Sequence, residues 1–310
     1  MMDERLYITL DSLRHLRNKS KKLRIDERYR SGGMFSGRAQ SKLKGQGYNF
    51  DELRPFRFGD NPRDIDWKAS SRSGKQIVKV FTQETDKPTV ILCNQNEGML
   101  FGSKVYTKSV VAAHLAALLG FHFLEQGERV GGIVVDKHGH QVVPPKRGVK
   151  PFTRYLDVIV KSNQALLEVN KSTAIEKADA NLRFKQIVSD ATRLLSSNGT
   201  LVVISDLESI DLAMLDTLKL ITHKHNVLFF LVYDPLEVDY SQATDLAISD
   251  GITQVSLSTS KKAMESFRKE NEAKIEQIQR LLSGSGLSFA MLDTIDEPYK
   301  QLSKLVTGKA

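Results

Sequence analysis

Short apolar runs that stop abruptly at a polar residue limit what this chain can fold into more than any other feature. Thr89-Val90-Ile91-Leu92-Cys93 gives way to Asn94, Thr200–Ser205 gives way to Asp206, and Asn226–Tyr233 is again largely apolar. Continuous runs of this kind, without apolar/polar alternation, suit strands covered on both faces, as in a parallel sheet. Between them lie segments of helical period. Lys104 to Gln126 carries Val111, Leu115, Leu118, Leu119 and Phe123 at helical spacing, and further helices are expected near 149–168, 181–197 and 209–224. Strands are expected over Gln76–Phe81, Arg129–Val135 and Gln141–Val143, the last ended by Pro144-Pro145, and again over 252–257 and 287–293. Helices over 260–282 and 296–307 complete the pattern. Strands alternating with helices imply right-handed crossovers and a sheet covered on both sides. The expected fold is therefore α/β, with a doubly wound, mainly parallel sheet.

The N-terminal quarter has a different texture. Residues 3–24 read as a helix with Leu6, Leu10, Leu13 and Leu16 on one stripe, expected to dock on the protein's own body, with peripheral association at a membrane surface as the alternative. Residues 31–47 hold five glycines and read as loop. The net charge of +8 is concentrated here: residues 1–80 carry 19 Lys/Arg against 10 Asp/Glu. A basic end of this kind suits an acidic partner, an anionic surface or nucleic acid. Nucleic acid is disfavoured, because no aromatic platform or recognised reading motif accompanies Lys19, Lys21, Lys22, Arg24, Lys42 and Lys44. No apolar stretch approaches the roughly 18 residues of a membrane span, and the charged start lacks the apolar core of a secretion signal. The lone Cys93 excludes an internal disulfide and suits a reducing compartment, so a cytoplasmic protein is expected.

One irregular run stands out, from Arg54 through Gly59-Asp60-Asn61-Pro62-Arg63-Asp64-Ile65-Asp66-Trp67 to Arg72. It packs the chain's only Trp and eight charges into nineteen residues, and has neither a clean helix nor a clean strand period. Gly59-Asp60-Asn61-Pro62 has turn chemistry. Arg63, Asp64, Asp66 and Arg72 are expected to pair around a buried Trp67. The order Arg54, Gly59, Asp60, Arg63, Asp64, Asp66, Trp67, Arg72 resembles the signature of a bacterial family known as domain of unknown function number 58. Phe101-Gly102-Ser103-Lys104 and Val232-Tyr233-Asp234-Pro235-Leu236-Glu237 resemble later phrases of the same family, and beyond residue 240 the resemblance fades. It implies a von Willebrand factor type A (vWA)-like, Rossmann-like domain over 84–310, preceded by a basic region of short strands and loops over 1–83.

Ligands of such sheets gather beyond the C-terminal ends of the strands. The vWA resemblance implies a divalent-cation site there, with Asp-x-Ser-x-Ser after the first strand, a Thr from a later loop and an Asp after a middle strand. Asn94, Asn96 and Gly98 stand at the first three positions and Ala180 at the Thr; Asp206 alone matches. Amides and a glycine are poor replacements for the hard, anionic oxygens Mg²⁺ prefers, so a vestigial site binding Mg²⁺ weakly or not at all is expected. Asn94 and Asn96 would then cap the strand-to-helix loop, with Asp206 beside them.

Other constellations offer less. His138 and His140 read as a hairpin tip, His114 and His122 are eight residues apart rather than four, and His223 and His225 suit a helix C-terminus as cations. Gly102-Ser103-Lys104 lacks the upstream glycine of a phosphate loop, and no nucleophile elbow is present. No cofactor and no enzymatic activity are expected. The family resemblance implies a non-enzymatic adaptor or co-chaperone acting with a MoxR-type AAA+ ATPase. The rival readings are a divalent-cation-dependent vWA ligand binder and an electrostatic nucleic-acid binder.

Overall fold

The computed structural model describes residues 5–23, 48–57, 62, 65–83, 87–166, 177–196, 198–209, 212–238, 247–249, 254–256, 261–282 and 285–307. In chain order the elements are α1 (Leu10–Ser20), β1 (Tyr48–Pro55), α2 (Trp67–Ser73), β2 (Ile77–Gln83), β3 (Pro88–Asn94), α3 (Lys108–Glu125) and β4 (Arg129–Asp136). They continue as β5 (Gly139–Lys146), α4 (Val149–Ala165), α5 (Lys177–Leu195), β6 (Thr200–Ser205), α6 (Leu212–Thr222), β7 (Asn226–Tyr233) and the single turn α7 (Pro235–Val238). The last are β8 (Ala247–Ser249), β9 (Gln254–Ser256), α8 (Lys261–Leu282), β10 (Ser288–Asp293) and α9 (Pro298–Thr307).

The main sheet has the order β10-β7-β6-β3-β4-β5, parallel throughout except for β5, which runs antiparallel to β4. Consecutive residues of β3 feed opposite faces, as strand geometry requires. Ile91 and Cys93 join one apolar cluster with α1, α3, α4 and α9, while Val90 and Leu92 join a second with α5, α6 and α8. The doubly wound, mainly parallel sheet read from the apolar runs is present. Helix α3 is apolar nearly all round because it is enclosed nearly all round: of Lys108–Phe123 every residue but His114 is buried. Gly120 is where α4 approaches most closely. A Cβ there would lie 2.0 Å from the Phe152 ring.

Three expectations need correction. Helix α1 begins at Leu10, capped by Thr9 in a reciprocal capping box with Ser12, so Leu6 falls before it and is 44% exposed. Its buried residues are Leu13, Leu16 and Ser20. Second, Pro144-Pro145 does not end β5, which runs on to Lys146. Proline is tolerated on an edge strand, and a register shift between Val130 and Gly132 takes up the irregularity. Third, β1 and β8 were not anticipated; each is one arm of a two-stranded antiparallel pair, with β2 and β9 respectively.

The chain forms two compact units: Met1–Ser41 with Lys87–Ala310, and Lys42–Asp86. Helix α1 therefore belongs with the sheet, not with the signature run that the division at 83/84 grouped it with. The segment ahead of α1 is pinned to the sheet unit by backbone and amide bonds. Ile8 N–H donates to Asn163 Oδ1 (3.2 Å), Asn163 Nδ2 donates to Gln95 Oε1 (3.2 Å), and Thr107 N–H donates to the Arg5 carbonyl (3.2 Å). Ion pairs Arg17–Glu125 and Lys19–Glu297 flank the docked helix. In the smaller unit, β1 and β2 form a hairpin with a register shift between Phe50 and Glu52. Ile65 bridges to Val78, and Asp66 N–H bonds the Ile77 carbonyl.

Candidate functional site

The chain ends of β3, β6 and β7 bring together the residues that a ligand site would use. Asn94, the last residue of β3, is buried, and its Nδ2 donates to Ser209 Oγ (2.9 Å), Ser205 Oγ (3.2 Å) and Asp206 Oδ1 (3.4 Å). Its Oδ1 accepts the Asn96 N–H at 3.0 Å. Asp206 is fully buried one residue past β6, and its Oδ1 also accepts the Ser209 N–H. Asn96 stands ahead of the 3₁₀ turn Glu97–Met99 without a side-chain capping bond, so of the two amides only that of Asn94 organises the loop. Gly98 faces the carboxylates: a Cβ there would be 3.2 Å from Asp206 Oδ2 and 3.3 Å from Glu208 Oε2. Ala180 lies in the first turns of α5, not in a loop. Alanine is the best helix former, and Asp179 beside it favours a helix start.

Sequence reasoning overlooked Lys108. It is 1% exposed, at the first turn of α3, and its Nζ lies 3.4 Å from Asp206 Oδ2 and 2.5 Å from Glu237 Oε1. The ammonium also sits 5.8 Å from the centre of the Phe101 ring. Burial alone would lower its pKa, but the charges of Asp206, Glu237 and Glu208 override this and hold it above the ordinary lysine value. Burial pushes Glu237 upward, with the Lys108 ammonium opposing. A signal was available: a lysine at the N-terminus of an apolar helix opposes the macrodipole and needs a carboxylate to sit there.

The phrase Asp234-Pro235-Leu236-Glu237 supplies that carboxylate. Asp234 is fully buried; its Oδ1 accepts the Leu236 N–H (2.8 Å), while Glu237 Oε2 accepts the Asp234 N–H (3.2 Å), a reciprocal cap of α7. Asp234 Oδ2 accepts the Ser103 N–H (2.7 Å) and the Thr294 hydroxyl (2.5 Å). Burial would raise its pKa, but these bonds favour the carboxylate and bring it below the usual range. Gly102-Ser103-Lys104 is thus a loop fastened by Asp234. Gly102 is required for the close approach, since a Cβ would meet the Tyr106 carbonyl at 2.0 Å.

These residues do not fit a divalent cation. The Asn94 amide oxygen is turned to a backbone N–H, Gly98 offers no side-chain oxygen, and an ammonium stands beside the one matching carboxylate. Among the described residues no three His, Cys, Asp or Glu side chains gather as metal ligands.

The signature run also departs from expectation. Asp66 caps α2, its Oδ1 accepting the N–H groups of Lys68 and Ala69 at 3.0 Å each. Trp67, expected to be buried, is 69% exposed. It is the first residue of a seven-residue helix that buries none of its side chains, so no packed face draws the indole in. Arg72, expected beside it in a paired cluster, is exposed in the last turn of α2, and Arg54 in β1 is half-buried. Gly59, Asp60, Arg63 and Asp64 lie outside the described residues.

The remaining candidates take structural places. His138 is exposed at the β4–β5 turn, whereas His140 pairs with Asp190 of α5 (2.8 Å). His225 is buried, not a cation at a helix end: burial and Lys224 lower its pKa. His122 is buried against Gln126 (2.8 Å). Burial raises the Cys93 thiol to about 12, which suits a core residue and not a nucleophile.

A doubly wound sheet with one antiparallel edge strand, its candidate site at the strands' C-terminal ends, defines a vWA-like α/β domain. The chain belongs to the family described as "Protein of unknown function DUF58", which matches residues 52–309. The match thus continues well past residue 240, where the phrases end but β10 and α9 complete the fold. Uncharacterized proteins of Mycobacterium tuberculosis and Mycobacterium bovis are 22% identical over 274 residues, covering 88% of this chain and 83% of theirs. Among solved structures, the conserved hypothetical protein BatB from Bacteroides thetaiotaomicron is similar at a TM-score of 0.44 and 13% identity, over 72% of this chain and 98% of its own. The SpRpn10 VWA domain is similar at 0.29 and 12%, over 72% and 95%.

Proposed function

We propose that this chain is a non-enzymatic protein-interaction adaptor whose sheet crest works without a divalent cation. The observation that carries this reading is Lys108: its ammonium is paired with Asp206 and Glu237 in the position where a cation-dependent site would need its metal. A crest whose carboxylates are held by an internal ammonium recognises partners by shape and hydrogen bonding at the loops after β3, β6 and β7. The partner implied by the family resemblance is a MoxR-type AAA+ ATPase, with the adaptor presenting other proteins to it for maturation or remodelling. The expected setting is the cytoplasm; among the described residues no helix is long and apolar enough to cross a membrane.

Two measurements test the reading. Calorimetry with Mg²⁺ or Mn²⁺ should give no binding that depends on Asp206; millimolar or tighter binding abolished by Asp206→Ala would favour the cation-dependent rival. Pull-down of an AAA+ ATPase should depend on its nucleotide state. Capture that is the same with and without nucleotide would defeat the ATPase-linked reading.

A further inference from the structure

We infer that helix α2 is a docking point for an acidic, apolar-bearing segment of a partner protein, with Trp67 as its anchor. The inference uses none of the crest residues. Soluble proteins seldom leave an indole 69% exposed, because its burial is among the largest apolar gains a side chain offers. Trp is also enriched among the residues that dominate binding energy at interfaces. Leu53, 45% exposed, belongs to the same compact unit, and α2 itself buries no residue.

The charges on the same short helix indicate the occupant. Lys68 and Arg72 are both exposed and sit four residues apart on α2, so two like charges share one helical face. Such a pair weakens an isolated helix, and an anionic partner converts that repulsion into attraction. Lys75, just past the Gly74 cap, adds an exposed cation to the unit. The one described carboxylate on this helix end, that of Asp66, is engaged by the backbone N–H groups of Lys68 and Ala69. Single-stranded nucleic acid would need a basic groove tracking successive phosphates and a series of stacking rings. One ring and one short cationic face suit a peptide better: an apolar side chain on the indole, flanked by Asp or Glu on Lys68 and Arg72.

Because Trp67 is the only Trp, the fluorescence of the intact protein reports this surface directly. The free protein should emit close to free tryptophan in water and be readily quenched by acrylamide. Titration with a synthetic peptide of alternating glutamate and leucine at low salt should shift the emission to the blue and protect it from quenching. Lys68→Glu/Arg72→Glu should abolish that response while leaving the far-ultraviolet circular dichroism unchanged. With a labelled peptide, Trp67→Ala should weaken binding by about 30-fold or more, the effect of truncating an interface hot spot. The inference is overturned if the indole is already blue-shifted and shielded in the free protein, which would mean that the chain itself covers it. It is equally overturned if the peptide leaves the emission unchanged, or if an oligothymidylate gives the response and the peptide does not.

Discussion

Replacing His114 with glutamine should remove much of this protein's sensitivity to mild acid. His114 lies on α3, at the face where α1 docks, with the Tyr106 ring edge-on at 6.2 Å. The ring is only half-buried, yet its loss of water, reinforced by Lys19 and opposed by Glu297, lowers its pKa to about 4. In the unfolded chain the ring takes up a proton at about 6.5. The folded state therefore binds fewer protons between these values, and stability is full above pH 6.5 and declines as the pH falls toward 4. With one pH unit worth about 1.4 kcal/mol, the whole gap amounts to about 3 kcal/mol, and about 2 kcal/mol of it is lost between pH 7 and pH 5. Urea unfolding of the wild type and of His114→Gln at pH 7 and pH 5 isolates this contribution, because groups common to both chains subtract out. The wild type should lose about 2 kcal/mol more than the variant. Parallel losses in the two proteins would refute the reasoning.

Further outcomes follow from the same geometry. Lys108→Met strips the buried carboxylates of their counter-charge and should cost about 3–5 kcal/mol in denaturant unfolding, with Glu237→Gln in the same chain recovering part of it. Gly120→Ala, which in a free helix would stabilise, should destabilise by about 1–3 kcal/mol because the methyl meets the Phe152 ring; the thermal midpoint reports the sign. Asp66→Ala removes the cap of α2 and should cost about 1 kcal/mol in the stability of the smaller unit, read by hydrogen exchange of the Lys68 and Ala69 amides. Asp234→Asn should blunt acid sensitivity at still lower pH. The wild-type carboxylate, held below its ordinary value, stabilises above that value and ceases to as the pH falls through its folded one.

The central strands were legible because a strand covered on both faces has nothing to alternate. β3 spans Pro88–Asn94, β6 Thr200–Ser205 and β7 Asn226–Tyr233, close to the apolar runs that announced them. The edges were harder. β5 carries two prolines that a central strand would reject, and β1 is a polar run through Asp51 and Glu52 whose pairing comes from β2. At the crest, Asn94 and Asp206 were recognisable as neighbours because both follow strand ends. The role of Lys108 was not, since its partners Asp206 and Glu237 are 98 and 129 residues away. Trp67 was misread for a general reason: a lone tryptophan among charges suggests a buried centre, and only the short unpacked helix shows that it faces outward.

In chain order the smaller unit interrupts the larger one: the chain leaves the larger unit after Ser41 and returns to it at Lys87. A module spliced in at both ends, rather than hung from a terminus, cannot be shed by trimming the protein from its start. Cutting away everything before residue 87 would also discard Ile8, Leu13 and Leu16 and strip α3 of the part of its cover that α1 supplies. Swapping residues 42–86 for a flexible glycine–serine bridge is the cleaner dissection, because it leaves both parts of the larger unit in one chain.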